Sequence, residues 1–317
     1  MASIYSLGCE TTIFGPSIIS VRSSLVTAEK ISIILSAFGS SPVISKSNQI
    51  NFFSIRLLYN SNKISEFMTD EKNNKTHFGY KNVNSKEKPD LVKEVFDSVS
   101  NKYDLMNDLM SLGIHRLWKK ATMQMSNLKK GDKVLDVAGG TGDLAILFSE
   151  LVGDSGKVYL SDINEKMLEV GRDRVIDSGC NNIKSLVADA EDLPFQDEEF
   201  DCISIAFGIR NVTNKEKALK EFNRCLKPEG RLLVLEFSSP EHNWLSELYD
   251  LYSFNLLPKL GEWIVGDSKS YEYLAESIRM HPNQDVFLEM MNTAGFVNTE
   301  YQNMTGGIVA LHIGEKK

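Results

Sequence analysis

Glycines and carboxylates recur along this chain at spacings that suit a nucleotide-like ligand. The run "LDVAGGTGDLA", residues 135–145, is apolar up to Ala138 and then turns through Gly139, Gly140 and Gly142. Such a strand, tight turn and helix start lets backbone amides approach a ligand closely. Gly140-x-Gly142-x-x-Ala145 satisfies the dinucleotide fingerprint, and Asp162 lies 20 residues past Gly142, where a ribose acid is wanted. On this stretch alone, NAD and S-adenosylmethionine (SAM) fit equally.

The neighbouring acids bear on the choice. Asp136 sits inside the strand, awkward for a pyrophosphate but useful to a ligand carrying an ammonium and a sulfonium. Its alternative role is to accept hydrogen bonds from loop amides. Asp162, in "LSDIN", suits vicinal ribose hydroxyls, and Asp189, in "VADAEDLPF", can accept from an adenine amine with the Ala190 amide facing the ring. Each acid alone could equally close a turn. Three carboxylates at or after three successive strands favour a cationic nucleoside.

The elements that must position them follow from the pattern. After helices in "KPDLVKEVFDSVSNKYDLMNDLMSLGIHRLWKKATMQM", strands and helices alternate: "KVLDVA", "KVYLSDI", "IKSLVAD", "FDCISIAF" and "RLLVLEF" are strands. Asn164 is placed to cap the helix that ends at Gly179. Strict alternation specifies an α/β fold, a parallel sheet with helices on both faces. "FVNTEYQNM" and "GIVALHIGEK", joined at Thr305-Gly306-Gly307, predict a hairpin and a final antiparallel strand. The predicted organisation is a poorly structured extension over 1–67 and one domain over 68–317, with a helical lid at 76–128 and a helical insertion at 239–294.

The extension is Ser-rich, with Glu10, Glu29 and Glu66 its only acids and Arg22 and Arg56 its only arginines. It is consistent with a transit peptide or with translation that begins at Met68. Among 317 residues, 35 Lys and Arg against 43 Asp and Glu leave a net charge of −8, which argues against nucleic acid as a partner. Cys9, Cys180, Cys202 and Cys225 form no metal-ligand spacing, so no metal is expected. No apolar run is long enough to span a bilayer.

Through "LDVAGGTGD", "SDIN", "ADAEDLPF" and "LKPEGRLLVLE" the chain resembles the class I SAM-dependent methyltransferases, with Ala138 where glycine is common. Further, "YDLMNDLMSLGIHRLW", "RCLKPEGRLLVLEFS", "THFGY", "FGIRNVT", "YDLYSFNLLP", "SYEYLAESIRMHP" and "GIVALH" resemble the ubiquinone/menaquinone biosynthesis C-methyltransferases from Thr76 onward. Cys225 and Glu229 depart from that pattern. The resemblance implies a Rossmann-like seven-stranded sheet and SAM as cofactor. It implies cofactor contacts at Thr141, Asp162, Asp189, Ala190 and, through a position where some members carry serine, Ala206. It further implies methylation of a ring carbon of a reduced polyprenyl quinone, either a methoxy-benzoquinol or demethylmenaquinol, and a place in a ubiquinone-biosynthesis complex.

A phenol titrates near pH 10, so a quinol carbon needs help to become nucleophilic. Arg210 and Asn211, just after the fourth strand, are the candidates: the cation lowers the hydroxyl's pKa or stabilises the phenolate, and the amide holds a water. Arg210 could instead pair with a rim acid. His115 and Arg116 could orient the lid, although a lone helical His is commonly structural; Tyr103 could close over the cofactor. The insertion's Trp244, Tyr249, Tyr252, Phe254, Trp263, Tyr271 and Tyr273 are core candidates, with Tyr252 a candidate wall for an isoprenoid tail. Lys119 and Lys120 could meet anionic lipid in a peripheral contact. Animal mitochondrial members of the family it resembles carry a long insertion in the link "LVGDSGKVYLSDIN", which is short here, so the resemblance implies a bacterial cytoplasmic protein at the inner membrane, the mitochondrial matrix side being the alternative.

Overall fold

A computed structural model describes residues 10–12, 20–22, 75–99, 103–241, 243–256, 258–259, 262–263 and 268–317. Contacts divide the chain into Met1–Thr69 and Asp70–Lys317. In the first unit, Glu10–Thr12 (β1) pairs antiparallel with Ser20–Arg22 (β2), a short ladder where the sequence shows no strand pattern. The rest of the predicted extension lies outside the described residues.

The second unit opens with a hairpin, Lys75–Phe78 (β3) and Lys81–Asn84 (β4). This corrects the helical lid expected from residue 76: "THFGYKNVN" turns at Gly79, whose φ of +58° no helix accepts. Helices follow at Lys88–Val99 (α1), Tyr103–Ser111 (α2) and His115–Gln124 (α3). The alternating part is Lys133–Val137 (β5), Asp143–Val152 (α4), Lys157–Asp162 (β6), Glu165–Asp177 (α5), Ile183–Val187 (β7), Phe200–Ala206 (β8), Lys215–Cys225 (α6) and Leu226–Phe237 (β9). As expected, Asn164 caps α5 by accepting the Met167 amide at 3.1 Å; Asn214 caps α6 in the same way. Asn243–Asp250 (α7), a π-helical turn at Leu251–Leu256, Ser268–Met280 (α8) and Gln284–Thr293 (α9) lead to Phe296–Met304 (β10) and Val309–Lys316 (β11).

The seven strands lie in the order β10-β11-β9-β8-β5-β6-β7. Five run parallel, and β11 sits antiparallel between β9 and β10, joined to β10 through the predicted turn at Thr305–Gly307. Alternate residues supply two cores. Val134, Cys202 and Leu233 face one side with Trp118, Leu144 and Phe148; Leu135, Ile203 and Val234 face the other with Phe222 and Phe287. α9 belongs to the second core through Phe287, Met290 and Met291, so it is a sheet-covering helix and not part of an inserted lid. β9 starts at Leu226, earlier than "RLLVLEF", because the bend at Lys227–Gly230 is absorbed as an irregularity between the pairs Phe200–Leu226 and Cys202–Arg231.

Candidate functional site

Parallel strands leave their carboxyl ends along one edge, and the chain order reverses between β5 and β8. A ligand crevice belongs at that switch point. There the structure has a cleft that opens to solvent. Its floor comes from the residues just past four strands: Ala138 and Gly140 after β5, Asp162 and Ile163 at β6, Ala188 to Glu191 after β7, and Phe207, Gly208 and Asn211 after β8. Pro89, Val92, Lys93 and Phe96 of α1 form the opposite wall.

Gly140 adopts φ +52°, and a Cβ there would stand 3.0 Å from the Met167 methyl and 3.8 Å from Asp162 Oδ2, inside the cleft. The cleft therefore uses the space that a side chain would fill. Gly139 answers a different need: its Cβ would stand 2.5 Å from Leu160 and 2.6 Å from Asp136 Oδ2. Gly139 lets the turn pack onto the strand beneath, and does not line the cleft. Ala138 and Phe207, both at the cleft, hold φ of +49° and +57°, which L-residues rarely adopt. A Cβ on Gly208 would lie 2.7 Å from that of Ala138, so glycine is what lets the two loops meet.

Asp162 is buried, and its carboxylate accepts the Gly140 amide at 3.0 Å and the Asn164 amide at 2.9 Å. Burial pushes its pKa up to about 6, partly offset by those amides. The Ile163 amide also reaches this carboxylate, and four lone-pair directions against three amides leave one for a ligand hydroxyl. Asp189 Oδ1 accepts the Glu191 amide at 2.9 Å, the turn-closing contact, while Asp189 and Ala190 both line the cleft. Asp136 lies below the turn. Its Oδ1 accepts from Ser204 Oγ at 2.7 Å, and its buried Oδ2 has no partner among the described residues. Burial pushes Asp136 up to about 7.

Not every predicted residue reaches the cleft. Thr141 is buried beside Gly140 but does not line it, and neither does Ala206 at the end of β8. His115 is buried against Ser111, whose Oγ lies 2.8 Å from His115 Nδ1, and burial pushes its pKa down. It packs at the start of α3, away from the cleft. Tyr103 opens α2, but its side chain lies outside the described residues. Tyr252 packs half-buried against the first core in the π-helical turn. Lys119 does not face lipid: it is buried and paired with Asp143 Oδ2 at 2.7 Å, whereas Lys120 is exposed.

Arg210 does form an ion pair, with an acid that the sequence did not bring forward. Its Nη1 donates to Glu236 Oε1 at 2.8 Å and to the Phe207 carbonyl, and Glu236 Oε2 accepts the Arg210 amide at 3.2 Å. Both side chains are at most 3% exposed. Arg210 Nε is buried without a partner among the described residues. Arg210 does not line the cleft; Asn211 does, and its Oδ1 accepts from Tyr273 OH at 2.9 Å. The Arg210–Glu236 pair is 26 residues apart in sequence and forms because β8 and β9 are neighbours. The sole signal for it was an acid inside the apolar run "RLLVLEF".

The residues fit SAM: a carboxylate with a spare acceptor for ribose, a second carboxylate beside a backbone amide, a glycine-cleared turn, and apolar walls from Ile163, Met167 and Phe207. Among the described residues there is no group of His, Cys, Asp and Glu that could hold a metal, and no helix long and apolar enough to cross a membrane.

A family model described as "ubiE/COQ5 methyltransferase family" matches residues 80–316. A relative in Teredinibacter turnerae, named ubiquinone/menaquinone biosynthesis C-methyltransferase UbiE, is 59% identical over 250 residues, covering 78% of this chain and all of the relative. One of the same name in Pseudomonas aeruginosa is 60% identical over 242 residues, 76% of this chain and 94% of its own. Among solved structures, a SAM-dependent methyltransferase from Aquifex aeolicus shares the fold with a TM-score of 0.51 at 20% identity, over 68% of this chain and 98% of that one.

Proposed function

The chain belongs to the ubiE/COQ5 methyltransferase family and is a SAM-dependent C-methyltransferase of ubiquinone/menaquinone biosynthesis; we propose that its acceptor is a reduced polyprenyl quinone activated beside Arg210 and Asn211. The observation that carries this reading is the meeting of two sets of groups at one sheet edge. Asp162, Asp189 and Gly140 line the cleft together with Asn211, and the buried, unpartnered Arg210 Nε lies on the adjoining residue.

Asp162 receives the ribose hydroxyls, Asp189 and the Ala190 amide receive the adenine, and the turn at Gly140 seats the methionyl end. Bound there, SAM supplies an electrophilic methyl group on a sulfonium. The acceptor's hydroxyl must lose its proton so that charge reaches the ortho carbon, and after methyl transfer that carbon loses its own hydrogen as a proton to restore the ring. Arg210 and Asn211 serve the first of these losses. Arg210 keeps Nη1 on Glu236 and Phe207, and its guanidinium, held behind the cleft wall next to Asn211, acts on a phenolate oxygen through its charge rather than by direct contact. Asn211 offers its amide from the cleft wall. α1 supplies the wall facing these groups, through Pro89, Val92 and Phe96, and narrows the access of water to them.

A polyprenyl acceptor is taken from a bilayer. Trp244 and Trp263 on the segment after β9, 65% and 84% exposed, support a peripheral contact there, and the bacterial relatives support the cytoplasmic face of the inner membrane. Membership of a ubiquinone-biosynthesis complex is part of the same proposal. The test offers both reduced acceptors, a methoxy-benzoquinol and a demethylnaphthoquinol, with SAM to the purified protein and to Arg210→Ala. Formation of S-adenosylhomocysteine with either quinol, strongly reduced in the variant, is expected. Turnover with neither quinol refutes the acceptor class, and undiminished turnover by Arg210→Ala removes that residue from the mechanism.

A further inference from the structure

Two stretches singled out in the sequence, "THFGY" and "SYEYLAESIRMHP", contribute nothing to the cofactor cleft, yet the fold brings them together. Phe78 on β3 stacks on Tyr273 of α8, with ring centroids 4.3 Å apart and planes inclined by 22°. One helical turn along α8, Glu276 accepts the backbone N–H of Tyr80 at 3.1 Å. Between them Gly79 adopts φ +58°, and a Cβ there would overlap the Glu276 carboxylate. Only glycine lets the hairpin seat this closely.

The braced ring does one further thing. Tyr273 is buried, and its hydroxyl donates to Asn211 Oδ1 at 2.9 Å across 62 residues of sequence. Burial pushes the phenol's pKa upward, so it holds its proton at any working pH. A donor fixed on the amide oxygen decides what the amide has left. Oδ1 is occupied, and Nδ2 carries two N–H donors. An amide turned the other way would present an acceptor and repel an oxygen gaining negative charge; in this orientation it stabilises one.

We propose that Tyr273 is a positioning residue that locks the Asn211 amide with its Nδ2 donor available to the acceptor's ring oxygen, and that the hairpin 75–84 braces Tyr273 for that task. The inference rests on the assignment of Asn211 to the acceptor site made above. It gives the two unassigned stretches one function, which neither has alone.

The experiment is a double-mutant cycle on the full chain, with SAM and a short-chain methoxy-benzoquinol kept reduced. Tyr273→Phe keeps the ring and its stacking and deletes only the donor. It is expected to lower kcat about five- to tenfold, the worth of one hydrogen bond in the rate, with KM for SAM and the melting temperature unchanged. In an Asn211→Ala background the same change is expected to cost nothing further. Phe78→Leu, which loosens the brace without touching the hydroxyl, is expected to lower kcat in the native background and not in Tyr273→Phe. Additive losses in the cycle, or full kcat in Tyr273→Phe beside an impaired Asn211→Ala, overturn the role of Tyr273 and leave Asn211 at the acceptor. Full kcat in Asn211→Ala overturns both.

Discussion

Lowering the pH from 8 to 5 is expected to weaken SAM binding about tenfold through Asp162, because the free protein holds this carboxyl with a pKa of about 6. Burial raises it, and the amides of Asn164 and Gly140 recover only part of the shift. The sign follows from what the ribose needs. Its hydroxyls donate, so the ionised carboxylate binds better, and ligand binding must lower the pKa and release a proton. Above pH 7 Asp162 is already charged and affinity is flat; each unit below 6 costs about a factor of ten, and at pH 5 roughly one-tenth of the free protein is competent. Calorimetric titration in two buffers of different ionisation enthalpy counts the protons: about one released at pH 5 and almost none at pH 8. Asp136, at about 7, can add a shallower slope between pH 6 and 8, so the titration is repeated in an Asp136→Asn background. In that background Asp162→Asn should bind weakly with no slope between pH 5 and 8. A dissociation constant independent of pH from 5 to 8, or proton uptake on binding, would refute the reasoning.

Three further outcomes follow from the buried groups. Asp136 is held neutral by burial, so its contribution to stability is complete below about pH 4 and lost as pH rises through about 7; Asp136→Asn should gain up to roughly 4 kcal/mol on the native chain between pH 4 and 8, read from urea unfolding at several pH values. Glu236→Ala leaves Arg210 buried and unpaired and should cost about 3–5 kcal/mol, whereas the double change Arg210→Met with Glu236→Leu should recover most of it; equal losses in both, by denaturant midpoint, would contradict a coupled pair. Ala138→Gly relieves a side chain held at φ +49° and should stabilise by about 0.5–1 kcal/mol once the extra freedom of the unfolded glycine is subtracted, a rise in melting temperature of one to a few degrees.

The frame of this protein was legible because it is local. Apolar strands ending in Asp162 and Ala188-Asp189, caps at Asn164 and Asn214, and the Thr305–Gly307 turn each announce themselves within a few residues. The hairpin at 75–84 was not, since four-residue strands rich in Lys and Asn carry no alternation for a pattern to catch. Lys119 was expected at the surface because lysine nearly always is. Its burial depends on Asp143, 24 residues away on another helix, and that partner cannot be read from either neighbourhood.

The same distinction runs through the site. Residues that line the cleft through their own strand end, Gly140, Asp162, Asp189 and Asn211, lie where periodicity and turn chemistry place them. The polar groups beside them take their partners from elsewhere in the sequence: Ser204 for Asp136, Glu236 for Arg210, Tyr273 for Asn211. Two of these three partners come from the strand packed alongside, and the third from a helix packed on the turn Ile209–Asn211. A parallel sheet buries both faces, so a charged or polar group near a strand end cannot rely on water and must find its partner across the sheet or from a covering helix. The order of the strands, β8 between β5 and β9, therefore determines which pairs can form. A motif states which groups stand at the edge; the strand order states which of them are paired, and that second fact decides their chemistry.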